Sequence, residues 1–493
     1  MSLFLLHRKD TNVCPHFPLR KNGICARRIF QGTPYPPDSR KMPYLVKNQR
    51  LIRTDHFKKL TIFRTKTGIL IYILNTMNLA QLPPDLNSIT RPNWIEINLD
   101  ALASNIQFVR KSIPKKTKIL LPVKADSYGH GSLACAYAAK NSGADFLGVA
   151  HLSEGMLLRQ YGMDLPILIL GPCIPADFPY LVEFQLTSAL SDLKTAMAFD
   201  KYLEENDLHC KAHLAINTGM HRYGVRFDDF DTIRQILTLK HLKVEGMFTH
   251  LATADMLDKT SNESTQRQID RFSNLVELLT NEGIRPEICH CSSSAGTLRH
   301  PESHFDMVRP GLVLYGYNPM GATPPEGFEY PELKPVMTIK STIRTIHEVP
   351  TGEGVSYGQY WVAQQPTKVA TIAIGYGDGY LRGEYNNGYV VIRNQLCPIL
   401  GRVCMDATMV DVSRIPDVQI GETVEVVNGS ADSRISMESV AEAHHTIPYE
   451  ITSRVARRLY RKYIWKNRLI RWDDLKEEFH IPPFTSYPFR KGE

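Results

Sequence analysis

Lys124 follows the apolar run Ile119-Leu-Leu-Pro-Val123 and opens the stretch Lys124-Ala-Asp-Ser-Tyr128-Gly-His130-Gly131. An amine at the end of a buried strand is costly unless it is paired or used, because burial disfavours the charged form. Such an amine suits a Schiff base, with a carbonyl substrate or with pyridoxal phosphate. The same spacing fits a lysine that lays its stem along a rim and keeps its charge in water. Spacing alone does not separate these readings. Tyr128, four residues on, is within reach of a phosphate.

Other polar groups also follow apolar runs. The stretch Ala215-Ile-Asn217-Thr-Gly219-Met220-His221-Arg222-Tyr-Gly224 carries glycines that mark a tight turn, and Arg222 could hold a phenolate or carboxylate by its planar fork. His250, in Phe248-Thr-His250, could stack as a neutral ring on a flat heteroaromatic; a histidine met alone is more often structural. His290-Cys-Ser-Ser-Ser294-Ala-Gly296 and Met307-Val-Arg309-Pro-Gly311-Leu312 come next. Ser294 and the backbone near Gly311 could cradle a phosphate, and Arg309 could point at a ring nitrogen. Each is weak by itself, since Ser-Ser-Ser and Arg-Pro-Gly are ordinary turn sequences. Three motifs lie later: Gly352-Glu-Gly-Val-Ser356-Tyr357-Gly358, Gly375-Tyr376-Gly-Asp-Gly379 and Gly401-Arg-Val-Cys404-Met405-Asp406. Polar motifs there make sense if that part closes over a cavity mouth, its own or a partner's. The Gly/Tyr motif reads equally well as a structural turn.

The elements that must position these groups show in the periodicity. Between residues 92 and 330, eight β-like runs alternate with helix-like segments: Lys118–Val123, Asp145–Ala150, Pro166–Leu170, Thr187–Ser191, Lys211–Ile216, Lys243–Thr249, Pro286–Cys291 and Met307–Tyr315. Amphipathic stretches such as Ser191–Asn206 and Ser264–Asn281 separate them. This alternation predicts an α/β fold, a closed (β/α)8 TIM barrel, with its chemistry on loops after the strands. From residue 331 to 463 strand-like runs separated by Gly and Pro predict a smaller, mainly β domain.

Composition bounds the function classes. The chain has 493 residues and a formal charge of +7, but residues 1–76 hold 15 Lys+Arg against 3 Asp+Glu. The remainder is therefore mildly acidic, and a nucleic-acid footprint would have to lie in that leader. Three readings of residues 1–76 stand together: a transit peptide, a disordered basic arm, or a stretch upstream of a true start at Met77. Residues 77–91 read as a linker, and residues 464–493 as a docking tail with Trp465, Trp472 and Phe479. Nine cysteines with irregular spacing and no CxxC pair point to reduced thiols and a cytoplasmic setting. No run of 18 apolar residues exists, which predicts no membrane span. No metal site is expected.

In combination, Lys124/Tyr128, Arg222, His250, Ser294, Arg309/Gly311, Tyr357, Tyr376, Met405/Asp406 and Pro448-Tyr449-Glu450 resemble, in order, the alanine racemase family of bacteria. The resemblance covers residues 90–463. It implies a barrel and a β domain joined in a head-to-tail homodimer with shared sites. It implies pyridoxal 5'-phosphate linked to Lys124, with its phosphate held by Tyr128, Ser294, Gly311, Leu312 and Tyr449. Arg309 would contact the pyridine nitrogen without giving it a proton, because a guanidinium has essentially none to give. His250 would pack against the ring, and Arg222 would bond the phenolic oxygen. Racemisation needs a proton to leave one face of the α-carbon and return on the other. The resemblance makes Lys124 one base and the partner subunit's Tyr357 the second, with Met405 receiving the substrate carboxylate. Tyr449 favours alanine, with weak activity on serine expected because a small pocket discriminates poorly. D-Alanine for peptidoglycan is the implied product in a bacterium.

The chain departs from that family at four places. Ala215 stands where a lysine, sometimes carbamylated, helps orient the arginine matching Arg222. Asn217 stands for an aspartate, Ser293 for an asparagine, and Asp126 for another asparagine. Asp126 would raise the pKa of Lys124 if its side chain turned inward. Alternatives are a serine or broad-specificity racemase, a pyridoxal-phosphate decarboxylase of the same architecture, and a non-catalytic carrier of the cofactor. Arg309 argues against the decarboxylase, and the β domain argues against the carrier.

Overall fold

The computed structural model describes residues 92–322, 329, 331–383, 386–428 and 433–484. Residues 1–75 are a separate unit, of which only an antiparallel backbone pair, Phe63–Thr65 with Gly68–Leu70, is described. The readings offered for the leader and for the 77–91 linker otherwise fall outside the described residues.

Eight parallel strands form the barrel: Lys118–Pro122, Phe146–Val149, Ile167–Pro172, Thr187–Leu190, Cys210–Asn217, Leu242–Phe248, Ile288–His290 and Met307–Val308. Each pairs with its successor up to strand seven, and strand eight returns to strand one. Strands seven and eight share no regular ladder. Asp306 spans that seam, its N–H donating to the Cys289 carbonyl (3.0 Å) and its carboxylate accepting from the Cys289 N–H (2.9 Å). The apolar run predicted to extend to Tyr315 is strand only as far as Val308. Pro310 has no N–H to give a ladder, so the chain turns there.

The helices between strands start where the sequence supplies a cap. Asp192 accepts from the Thr195 N–H (2.8 Å), and the helix Leu193–Glu205 buries Ala196, Phe199 and Leu203 along one stripe. Asp258 caps Lys259–Asn281 in the same way through Ser261.

The second domain is built around Met337–Val349, whose residues Met337, Ile339, Ser341 and Ile343 alternate into the core. It pairs antiparallel with Thr367–Ile372 and Thr423–Val427. It also pairs with Trp94–Asn98, a strand that precedes the barrel in sequence, in the register Met337↔Ile97 and Ile339↔Ile95. Trp94–Asn98 in turn pairs parallel with Tyr460–Trp465. Segments more than 360 residues apart thus meet in one sheet of the β domain.

Beyond that sheet the chain packs against the barrel's Ser132–Asn141 helix and the turn after Leu152–Gln160, where the Tyr161 and Phe484 rings lie 5.4 Å apart. Phe479 lies face to face with Tyr137 (6.4 Å, 11°) and edge-on to Trp465 (5.1 Å), and Leu475 and Ile481 are buried. Among the described residues no helix is long and apolar enough to cross a membrane.

Candidate active site

The C-terminal ends of the barrel strands open onto a cavity of about 290 Å³ lined by Lys124, Tyr128, Arg222, His250, Ser294, Arg309, Gly311 and Tyr449, among others. Motifs more than 300 residues apart in sequence therefore converge. Leu312, next to Gly311 in sequence, is buried.

Lys124 owes its position to an unusual turn. Ala125, Asp126, Ser127 and Tyr128 all have positive φ, between 51° and 56°, and form one left-handed turn. Such a conformation costs about 1–2 kcal/mol per L-residue. Bonds from outside hold it: the Ala125 N–H donates to Glu154 Oε1 (2.7 Å), Asp126 Oδ1 accepts from the Ser132 N–H (2.8 Å), and Arg461 Nε donates to the Gly129 carbonyl (2.9 Å). The turn swings Tyr128 back toward its own lysine, with Lys124 Nζ 5.9 Å from the tyrosine ring. Ala125 is exposed, so Ala125→Gly should relieve strain without removing packing and raise stability by about 1 kcal/mol, read as a higher Tm. Ala125→Val should lower it.

Burial, then the Arg222 charge, holds the Lys124 amine below its ordinary 10.5, against the opposing pull of Glu154. Below the lowered folded value both states carry the proton and folding bears the full penalty; between it and 10.5 only the unfolded chain does, so stability rises with pH toward 10.5. Lys124→Met should raise the Tm of the cofactor-free protein at neutral pH, and the gain should shrink as pH approaches 10.5.

Opposite the lysine, hydroxyl and backbone donors gather. The Tyr128 and Tyr449 rings lie 5.5 Å apart. Ser294 and the Leu312 backbone hold the Tyr449 phenol down against the larger upward push of burial, and the Val313 N–H donates to Ser294 Oγ (3.3 Å). Burial pushes the Tyr449 phenol up to about 12 and Tyr128 higher still, so both remain donors. A Cβ at Gly311 would stand 2.9 Å from the Tyr128 oxygen, so only glycine leaves that corner open. This corner can take an anion such as a phosphate.

The far wall is a cation clamped among neutral rings. Arg309 Nη1 donates to His290 Nδ1 (2.7 Å), and its Nη2 donates to the carbonyls of Thr249 (2.8 Å) and Cys291 (3.0 Å). Burial lowers its pKa to about 10, so it stays charged at neutral pH. Burial and the charges of Arg309, Arg222 and Lys124 push His250 down to about 3, which keeps its ring neutral and able to lie against a flat ligand.

Three of the four departures have a defined place in the structure. Asp126 turns outward, accepting from the Ser132 N–H (2.8 Å) and facing Arg461 at 3.4 Å. Ala215 is buried with Ala189 and Phe248. Asn217 Oδ1 accepts from the N–H groups of Gly219 (3.2 Å) and His221 (3.1 Å), so it shapes the turn that carries Arg222. Arg222 has no ion pair among the described residues, and its guanidinium lies 4.9 Å from the Tyr223 ring.

Tyr357 and Met405 do not reach this cavity. They project from the β domain, 71% and 53% exposed. The backbone beneath them is fixed: Ser356 Oγ donates to the Arg402 carbonyl (2.6 Å), the Gly377 N–H to the Met405 carbonyl (2.8 Å), and Arg458 bridges Asp378 and Asp406. The three glycine-rich motifs of the β domain thus form one rigid platform. Sequence reasoning missed His213, Glu245, Leu170 and Pro319. The last two line the cavity. The one advance signal was Glu245, a carboxylate inside the apolar strand Leu242–Phe248.

Profiles described as "Alanine racemase, N-terminal domain" and "Alanine racemase, C-terminal domain" match residues 97–319 and 336–463. The alanine racemase of Halothermothrix orenii is 37% identical over 382 residues, covering 77% of this chain and 98% of that protein. That of Methanococcus maripaludis is 35% identical, covering 76% and 100%. Among solved structures, alanine racemase from Clostridium difficile 630 superposes with a TM-score of 0.71 at 33% identity, over 77% of this chain and 98% of that one. The Bacillus anthracis enzyme with bound L-Ala-P gives 0.69 at 31% identity, over 77% and 97%. With both domain profiles matched in order and relatives covered nearly end to end, the chain belongs to the alanine racemase family.

Proposed function

We propose that this protein interconverts L- and D-alanine with pyridoxal 5'-phosphate. The observation that carries the reading is one cavity holding a lysine of lowered pKa, a neutral histidine face, a buried arginine and a corner of protonated hydroxyls. These groups fit a phosphorylated pyridine: Tyr128, Ser294, Tyr449 and the backbone of Gly311 and Leu312 for the phosphate, His250 for the ring face, Arg309 for the ring nitrogen, Arg222 for the phenolic oxygen, and Lys124 for the covalent link. When bound, the cofactor supplies an electron-withdrawing ring that acidifies the α-C–H of an amino acid.

The protein's own residues do the rest. Lys124, with its proton affinity lowered, exchanges a proton with the α-carbon on one face. The partner subunit's Tyr357 does so on the other. Its exposure on a rigid platform, outside its own chain's cavity, supports a head-to-tail homodimer in which each copy completes the other's site. Met405, from the same platform, would receive the substrate carboxylate. Arg309 donates and does not protonate the ring nitrogen, which disfavours side reactions that need a deeper electron sink. Tyr449 narrows the cavity toward a methyl side chain. The setting that fits is cytoplasmic supply of D-alanine for peptidoglycan.

The test follows the α-proton of L-alanine in deuterated water with added pyridoxal phosphate while optical rotation is recorded. Exchange with loss of rotation supports the reading. Exchange only with serine or another amino acid moves it to a racemase of different specificity, and no exchange with any amino acid overturns it.

A further inference from the structure

Behind the cavity wall, five side chains run end to end through the barrel interior: Arg309, His290, His213, Glu245 and Lys211. Arg309 Nη1 lies 2.7 Å from His290 Nδ1. A guanidinium only donates, so His290 Nδ1 is bare and the ring's proton sits on Nε2. That nitrogen lies 2.8 Å from His213 Nδ1. It must donate, which places the His213 proton on its own Nε2. His213 Nε2 faces Glu245 Oε1 at 3.8 Å, and neither atom has a hydrogen-bond partner among the described residues. Glu245 Oε2 takes the Lys211 ammonium at 2.7 Å. Both imidazoles are fully buried and Glu245 is 4% exposed, while most of the Lys211 side chain reaches water.

The barrel wall is shaped for this arrangement. Strands five and six slip register between Val244 and Gly246, and a Cβ at Gly246 would lie 2.4 Å from the His213 ring. Glycine at that point gives the ring its place. Phe248 stacks on His290 at 5.1 Å and 15°, which fixes the second ring. Burial keeps both histidines neutral. A neutral imidazole has one donor and one acceptor, so the direction chosen at Arg309 propagates without branching.

We propose that His213 and Glu245 are positioning residues: the buried carboxylate at one end favours the same pair of histidine tautomers that Arg309 imposes at the other, and the row so held orients the Arg309 guanidinium at the cavity wall. The donors of Arg309, His290 and His213 then all point away from the cavity and toward the Glu245 carboxylate, which the Lys211 ammonium meets from the solvent side. This makes His290 Nδ1 a stronger acceptor for Arg309 and offsets the arginine's buried charge at a distance.

The test has two arms, and only the kinetic one rests on the racemase reading. In the cofactor-free full chain with 15N-labelled histidine, His213 and His290 should both show bare Nδ1 and protonated Nε2, unchanged from about pH 6 to about 9. The His213 Nε2–H should exchange slowly with water. Protonated Nδ1 on either ring overturns the proposal, and this measurement needs no variant. In the second arm, Glu245→Gln should shift the His213 N–H signal or speed its exchange. In the enzyme loaded with pyridoxal phosphate it should lower kcat about tenfold, with KM for alanine nearly unchanged. Glu245→Asp should recover part of the loss. A Glu245→Gln protein with unchanged imidazole signals and unchanged kcat overturns the positioning role. A wild-type protein that racemises nothing leaves the tautomer result to stand or fall alone.

Discussion

Lys124→Ala should lower alanine racemisation by about 10⁴-fold or more, since in the proposed function one residue supplies both the covalent link and a base. The lysine sits at the end of a barrel strand, and its neighbours in space, Arg222 and Arg309, both disfavour its charged form. The left-handed turn holds it independently of its side chain, so the variant should fold. The measurement is kcat/KM in both directions, together with the visible absorption of the loaded protein. A variant that keeps more than about a hundredth of wild-type activity would remove Lys124 from the centre of the reaction.

Tyr357→Phe should cost about 10²–10⁴-fold, the usual worth of one positioned acid–base group. Its signature distinguishes it from a loss of binding. With only Lys124 left, one enantiomer should still exchange its α-proton with solvent while racemisation is lost. Equal loss of exchange from both enantiomers would count against a base on each face. The placement of Tyr357 adds a stronger check. Neither Lys124→Ala nor Tyr357→Phe homodimers should work. After unfolding and refolding together, random pairing gives heterodimers in which one of two sites is wild type, hence about a quarter of full activity. A mixture that stays inactive, in a preparation shown to contain heterodimers, would place both residues in one chain's site.

Much of this protein was legible without coordinates. Eight alternating runs announced the barrel, because strand and helix periods are local properties of the chain. The residues at the strand ends were legible too, since a lysine or an arginine after an apolar run stands out against its neighbours. Other features depended on contacts between distant segments. Nothing around Trp94–Asn98 tells which sheet it joins; its partners lie more than 200 residues away in Met337–Val349 and Tyr460–Trp465. Four non-glycine residues in a left-handed turn carry no sequence mark, because Glu154, Arg461 and the Ser132 N–H stabilise a conformation that local preference opposes. Asp126 could have faced Lys124 or solvent, and Arg461 decided it. His213 read as an ordinary strand residue, and Glu245 only as a carboxylate out of place in an apolar strand, until the barrel closed and brought them behind Arg309. Sequence by itself determined which groups line the strand ends. Tertiary structure alone decided which way they point, because orientation is set by partners that the chain brings near only when it folds.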